Sequence, residues 1–244
     1  MTKLSRAGAL VQSVAVVAGL LGWVIASNAL GAGIFAAHPL APLVHAGLTG
    51  AVALGMVGLA TMGDESRVEV LGLSKPAWGP TLLFALLGAF GAYAASAILS
   101  LGFVLVRGAD RAIEDKTRAM AMLGDVPLWA IVPIALFAGF YEEIVFRGFL
   151  LGRLRIVFGE TRSGVIAAVL VSSVLFAGGH AYQGWIGVAQ TFAAGACFAA
   201  VVAIRRSLWP SIVAHAAIDS FGLFALHVLK PQLEKMLQEQ RLHG

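Results

Sequence analysis

Charged residues vanish from most of this chain. No Asp, Glu, Lys or Arg occurs in the 57 residues from Ala7 to Gly63, the 30 from Ala77 to Val106, or the 42 from Ser163 to Ile204. A helix crosses a bilayer with about 20 apolar residues, so each run is long enough for at least one span. Backbone polar groups in hydrocarbon must be satisfied within the fold, which leaves helices or closed barrels. The runs are continuous and lack the two-residue alternation of barrel strands. The chain is 12% charged with a mean hydropathy of +0.87, against about 25% charged residues in an ordinary soluble domain. The fold class expected is therefore all-α, a polytopic transmembrane helix bundle of about seven to eight spans.

Seven spans can be placed, at roughly 7–28, 41–62, 79–105, 126–147, 163–182, 184–204 and 208–229. The first follows Lys3 and Arg6 and is too long for the core of a signal peptide, which runs to about 7–15 residues. The chain's 29 glycines suit a bundle whose helices approach closely through small side chains. Pro127 suits a first turn, whereas Pro133 should kink the fourth span or free a carbonyl about two turns before Glu142. Residues 107–124 mix acidic and basic side chains at helical spacing, and read equally as a surface helix or lid and as a solvated connector. The expected organisation is 1–125 as N-terminal spans with this segment, 126–229 as the functional core, and 230–244 as a polar tail.

The net charge of +4 does not point to nucleic acid. Basic residues sit in short loops, where positive-inside bias and lipid headgroups account for them. Lys3/Arg6, Arg67/Lys75, Arg153/Arg155/Arg162 and Arg205/Arg206 share one side if the N-terminus is cytoplasmic. The lone Cys197 excludes an internal disulfide and reads as packing. His38, His45, His227 and His243 read as interface or surface residues.

Against this background the ionisable residues inside apolar spans stand out. Glu142, Glu143 and Arg147 close the fourth span, His180 ends the fifth, and His215 with Asp219 occupies the seventh. A charge near the bilayer centre costs roughly 2.5–3.5 kcal/mol on insertion scales, so such residues usually serve a site. Residues four apart share a helix face. Glu143 and Arg147 are therefore expected to pair, leaving Glu142, about 100° away, to face a cavity. A carboxylate in an apolar, partly hydrated pocket suits general-base chemistry near neutral pH. His215 and Asp219 can likewise face one point, with Asp219 orienting the imidazole or the two binding a reacting oxygen together.

Glu142-Glu143-x-x-x-Arg147, Phe176-x-x-x-His180 and His215-x-x-x-Asp219 occur in the order found in the CPBP (CAAX protease and bacteriocin-processing, or Abi) intramembrane proteases, which the chain resembles over about residues 126–225. The resemblance implies an endopeptidase acting within the bilayer on a membrane-associated protein or peptide, often near its C-terminus. It implies that Glu142 and His180 activate a water, that His215 and its partner stabilise the oxyanion, and that Glu143 and Arg147 support the site. The partner in the prenyl endopeptidase branch is usually Asn, whereas here it is Asp219. An ionised Asp cannot donate a hydrogen bond, so orientation of His215 is the role expected of it. No cofactor is implied by this mechanism. The alternative is Zn²⁺ held by Glu142, His180 and His215, or with Asp219 in place of Glu142. Other classes are a proton-coupled transporter, which should carry matching charges in both halves, and a non-catalytic immunity or scaffold protein. Abundant Ala and Gly suggest a bacterial inner membrane protein.

Overall fold

The computed structural model describes residues 4–34, 41–108 and 126–243, excepting the side chains of 28–34, 41–42, 233–234 and 236–243. Most of the segment at 107–124 expected as a lid or connector lies outside these residues, as do His38 and the side chain of His243. The described chain is helical throughout, with no strand. Its elements are α1 (Arg6–Ile34), α2 (Ala41–Ala60), the short α3 (Arg67–Val70), α4 (Trp78–Arg107), α5 (Leu128–Glu143), a π-helical segment (Ile144–Leu150), α6 (Leu151–Phe158), α7 (Arg162–Gly178), a 3₁₀ turn (Ala181–Gln183), α8 (Gly184–Arg205) and α9 (Trp209–His243).

Among the described residues six stretches are long and apolar enough to cross a membrane: Arg6–Ser27, Leu43–Ala60, Trp78–Arg107, Leu128–Phe158, Ala181–Arg205 and Trp209–Gln232. The fifth expected span is the shorter apolar helix Arg162–Gly178, 17 residues long. The expected helical bundle is thus observed. Large apolar side chains cover its outside, Phe90 at 75% and Trp185 at 84% exposure among them, as suits a surface facing lipid rather than water.

The fourth span differs from its expected form. Helix α5 runs uninterrupted through Pro133. Regular α geometry is lost later, in the π segment, after which α6 continues the same helix to Phe158. Arg153 and Arg155 are therefore helical rather than in a loop. Arg153 is buried and donates to Asp64 at 2.7 Å, with its guanidinium 5.3 Å from the centre of the Phe149 ring. Burial of the ion is affordable because the carboxylate and the ring face both meet it.

The two halves of the chain are tied together. Leu208 N–H donates to Gly72 O at 2.8 Å, and Trp209 Nε1 to Ser74 O at 2.8 Å. Gly72 takes a left-handed φ of 71° at this contact, which glycine adopts without steric cost. Helix α9 packs against α5 and α4, and α8 packs against α4 and α7. On α1 and α2, His45 Nε2 and Ser27 Oγ lie 3.2 Å apart, so His45 is the interface residue expected, whereas His227 is exposed.

The α5–α9 contact sets the site. A Cβ added to Gly139 would lie 3.0 Å from Ala216 N and 3.3 Å from its Cα. Only a glycine lets α9 backbone approach this closely, one turn from Glu143 and beside His215. Gly139→Ala is therefore expected to lower the thermal midpoint in detergent, by overpacking of about 1–3 kcal/mol. Gly152, where a Cβ meets nothing within 4 Å, is the comparison: Gly152→Ala is expected to hold or raise the midpoint. Equal effects at the two positions would contradict the close α5–α9 packing.

Candidate active site

Glu142 and Glu143 end α5, and their side chains part as adjacent helical residues must. Glu143 is fully buried. Its Oε1 accepts from Arg147 Nη1 at 2.7 Å and from His215 Nδ1–H at 2.8 Å. The expected pair is present, with a third member that spacing alone had not placed there. Arg147 is held by rings as well as by charge. Its guanidinium carbon lies 4.0 Å from the centre of the Phe176 ring and 5.6 Å from that of Phe198. Gly195 makes room for it, since a Cβ there would stand 3.1 Å from Arg147 Nη2.

His180 lies just beyond α7, whose last residue is Gly178, at the entrance to the 3₁₀ turn. Its Nδ1–H donates to Phe176 O at 2.9 Å. A carbonyl can only accept, so this bond fixes the tautomer and leaves Nε2 with its lone pair. The Nε2 faces Glu142 Oε2 at 4.0 Å. His215, anchored at Nδ1, presents its own Nε2 to the same Oε2 at 3.8 Å and to Asp219 Oδ2 at 3.4 Å. The Phe176 ring packs against both imidazoles, with centroids 4.8 and 5.8 Å away.

All six residues singled out in the sequence thus meet in one cluster. Glu142 Oε2 is buried and has no hydrogen-bond partner in the protein. Two acceptors bridged by one water that donates both protons stand roughly 4.4 Å apart, close to the 4.0 Å between Glu142 Oε2 and His180 Nε2. Zinc ligands at about 2.0–2.1 Å in tetrahedral array stand only about 3.3 Å apart. Among the described residues no three His, Cys, Asp or Glu group as a metal site. The Glu142–His180 spacing is that of a bridging water, whereas the 3.4 Å between His215 Nε2 and Asp219 Oδ2 is close to the spacing of two metal ligands.

Tyr141, Tyr182 and Phe198 were missed in the sequence. Tyr141 Oη donates to Glu142 Oε1 at 3.1 Å. The Tyr182 ring lies 5.9 Å from that of His180, and Phe198 lies 5.6 Å from that of His215. The chain has only three tyrosines, and the third, Tyr93, sets its ring edge-on to Phe221, two residues past Asp219. The signal available in the sequence was that Tyr141 adjoins Glu142 and Tyr182 lies two residues past His180. An apolar groove of about 530 Å³ opens beside Asp219 between α5 and α9, lined by Leu128, Ile131, Val132, Ser220, Phe221 and Phe224 among others.

Removing one partner of a buried ion pair strands the other charge, at about 3–5 kcal/mol, whereas replacing both can be nearly neutral. Arg147→Met is expected to destabilise by that amount in detergent unfolding, and Glu143→Gln with Arg147→Met by much less. Equal losses would show that Glu143 does not depend on Arg147.

No curated protein and no solved structure matches the chain significantly. A family model does. The apolar helices together with that family support an integral membrane protein with protease character. Residues 124–221 match the family described as Rce1-like, type II CAAX prenyl endopeptidase Rce1-like, which bears out over that segment the resemblance carried by the three motifs.

Proposed function

We propose that the protein is an intramembrane endopeptidase that hydrolyses a peptide bond of a membrane-associated protein or peptide through a water activated by Glu142 and His180. The observation that carries this reading is the unpartnered Glu142 Oε2, buried and faced by two imidazole Nε2 atoms at 3.8 and 4.0 Å. A water held between Glu142 and His180 gives a proton to Glu142 as its oxygen attacks the scissile carbonyl. Glu142 then passes that proton to the departing amide nitrogen. His215, as imidazolium, donates Nδ1–H to Glu143 and Nε2–H to the tetrahedral oxygen. Asp219 lies on the Nε2 side and orients the ring, while Glu143 and Arg147 hold it from behind.

The apolar groove beside Asp219 fits a substrate that arrives from the lipid phase. The first half of the chain carries no charges matching those of the site, which disfavours a transporter built from paired repeats. We read the protein as one of a bacterial inner membrane, from its Ala and Gly content, and its N-terminus as cytoplasmic. The orientation is supported by the basic residues at one end, where Arg155 pairs with Glu160 and Arg206 lies 4.0 Å from it.

The test is cleavage of a library of membrane-anchored peptides by purified protein in detergent, read by mass spectrometry. General-base catalysis contributes about 10²–10⁴-fold, so Glu142→Gln is expected to lower the rate by at least that range while leaving the protein folded. Chelator is expected to leave cleavage unchanged. Cleavage that persists in Glu142→Gln would sink the assignment of the base. Cleavage lost to chelator and restored by zinc would replace the water mechanism with a metal one.

A further inference from the structure

The family match begins at residue 124, yet the carboxylate it contributes is held by a contact that reaches back to α2. Only one oxygen of Glu142 faces the two imidazoles. The other, Oε1, accepts from the hydroxyl of Tyr141 at 3.1 Å. A carboxylate's terminal torsion is broad and roughly two-fold, so without that bond either oxygen could turn toward the histidines over a range of angles. Tyr141 is itself wedged. Its ring packs on Phe137, with centroids 5.5 Å apart and planes tilted by 51°, and both rings press on Gly50 of α2. A Cβ at Gly50 would fall 2.4 and 2.5 Å from Phe137 Cε1 and Cζ and 2.9 Å from Tyr141 Cδ1. Real Cβ contacts are never so short, and rings cannot bend out of the way. Gly50 is buried, so the rings occupy the volume that any side chain there would need.

We infer that Tyr141 is a positioning residue for Glu142, and that Gly50 is the socket in α2 that fixes the Tyr141 ring. Tyr141 touches neither the proposed water nor the scissile bond. It acts by turning one carboxylate oxygen away from the imidazoles and leaving the other aimed between them. The role rests on the proposed protease reading, but the hydrogen bond and the socket do not.

Two measurements separate these levels. The chain has three tyrosines, so protein labelled with ¹³C at the tyrosine Cζ gives three resonances in detergent, and Tyr141→Phe identifies the one from Tyr141. That resonance is expected to move in Glu142→Ala, which removes the acceptor, and in Gly50→Ala, which displaces the ring. A resonance unmoved in Glu142→Ala would overturn the hydrogen bond, and one unmoved in Gly50→Ala would overturn the socket.

The second measurement is steady-state cleavage of the best peptide from the library by Tyr141→Phe, which keeps the ring and removes only the hydroxyl. A hydrogen bond to a charged group is worth enough that its loss is expected to cut kcat by roughly 10- to 100-fold, with KM within about two-fold and the protein still folded at a lowered thermal midpoint. A purely structural ring would leave kcat intact in this variant, which would overturn the positioning role even with the hydrogen bond present. Absence of cleavage by the wild type would overturn the protease reading and the positioning role with it, while the resonance shift would still report the contact.

Discussion

The site depends on one carboxylate oxygen that serves two cations or donors at once. Glu143 Oε1 holds Arg147 at 2.7 Å and His215 Nδ1 at 2.8 Å, and Glu143 is fully buried. Desolvating an ion in an apolar bundle is costly, and Coulomb attraction offsets that only with good geometry and further hydrogen bonds. Here the geometry comes from three directions. Arg147 lies on the same helical segment, four residues on. His215 arrives from α9, which the missing side chain of Gly139 allows to approach closely. The faces of Phe176 and Phe198 receive the guanidinium. Pulling any of these away leaves a charge or a polar atom in hydrocarbon, so the cluster locks the crossing of α5 and α9 while it orients the imidazole.

The π segment belongs to this arrangement. Single wide turns inside α-helices occur often at functional sites, and this one begins at Ile144, directly after Glu143, and spans Arg147. Ser172 Oγ of α7 donates to the carbonyl of Phe146 within it, at 2.9 Å, where the regular helical pattern has been given up. Helix α7 is thus fastened to the same segment that carries the arginine, and Phe176, four residues beyond Ser172, is brought over the guanidinium. The same ring packs against both histidines, with centroids 4.8 and 5.8 Å away.

Local spacing made part of this legible. Glu143 with Arg147 and His215 with Asp219 are each four apart, and the rule that such residues share a helix face was enough to foresee two pairs on two helices. The charge-free runs were enough for the helical bundle. The link from Glu143 to His215 spans 72 residues, and no periodicity encodes which nitrogen meets which oxygen. The π segment was invisible because its residues, Ile144 to Leu150, read as an ordinary apolar helix. Pro133 does not interrupt its helix, and regular α geometry is lost instead at Ile144–Leu150, more than two turns later. Arg153 read as a loop cation because its partner, Asp64, lies 89 residues away. Neighbours on a helix diverge, so spacing alone predicts no contact between Tyr141 and Glu142. That rule governs Cβ directions, and a tyrosine is long enough for its hydroxyl to reach back to the carboxylate beside it.

The two adjacent glutamates show how one helix end can support opposite electrostatic duties. A carboxylate proposed as a general base needs an oxygen that no strong donor holds, so that it can face the water. A structural carboxylate in hydrocarbon cannot be left free, or its burial is uncompensated. Glu143 meets the second requirement at Oε1, through Arg147 and His215, although its Oε2 and the Arg147 Nε and Nη2 atoms are buried without a hydrogen-bond partner. Glu142 meets the first because only Oε1 is bonded, by a neutral hydroxyl that donates without supplying a competing positive charge. An arginine in place of Tyr141 would hold the carboxylate more firmly and make it a poorer proton acceptor. The divergence of consecutive side chains keeps these two environments apart over a single peptide unit, with the ring of Tyr141 seated on α2.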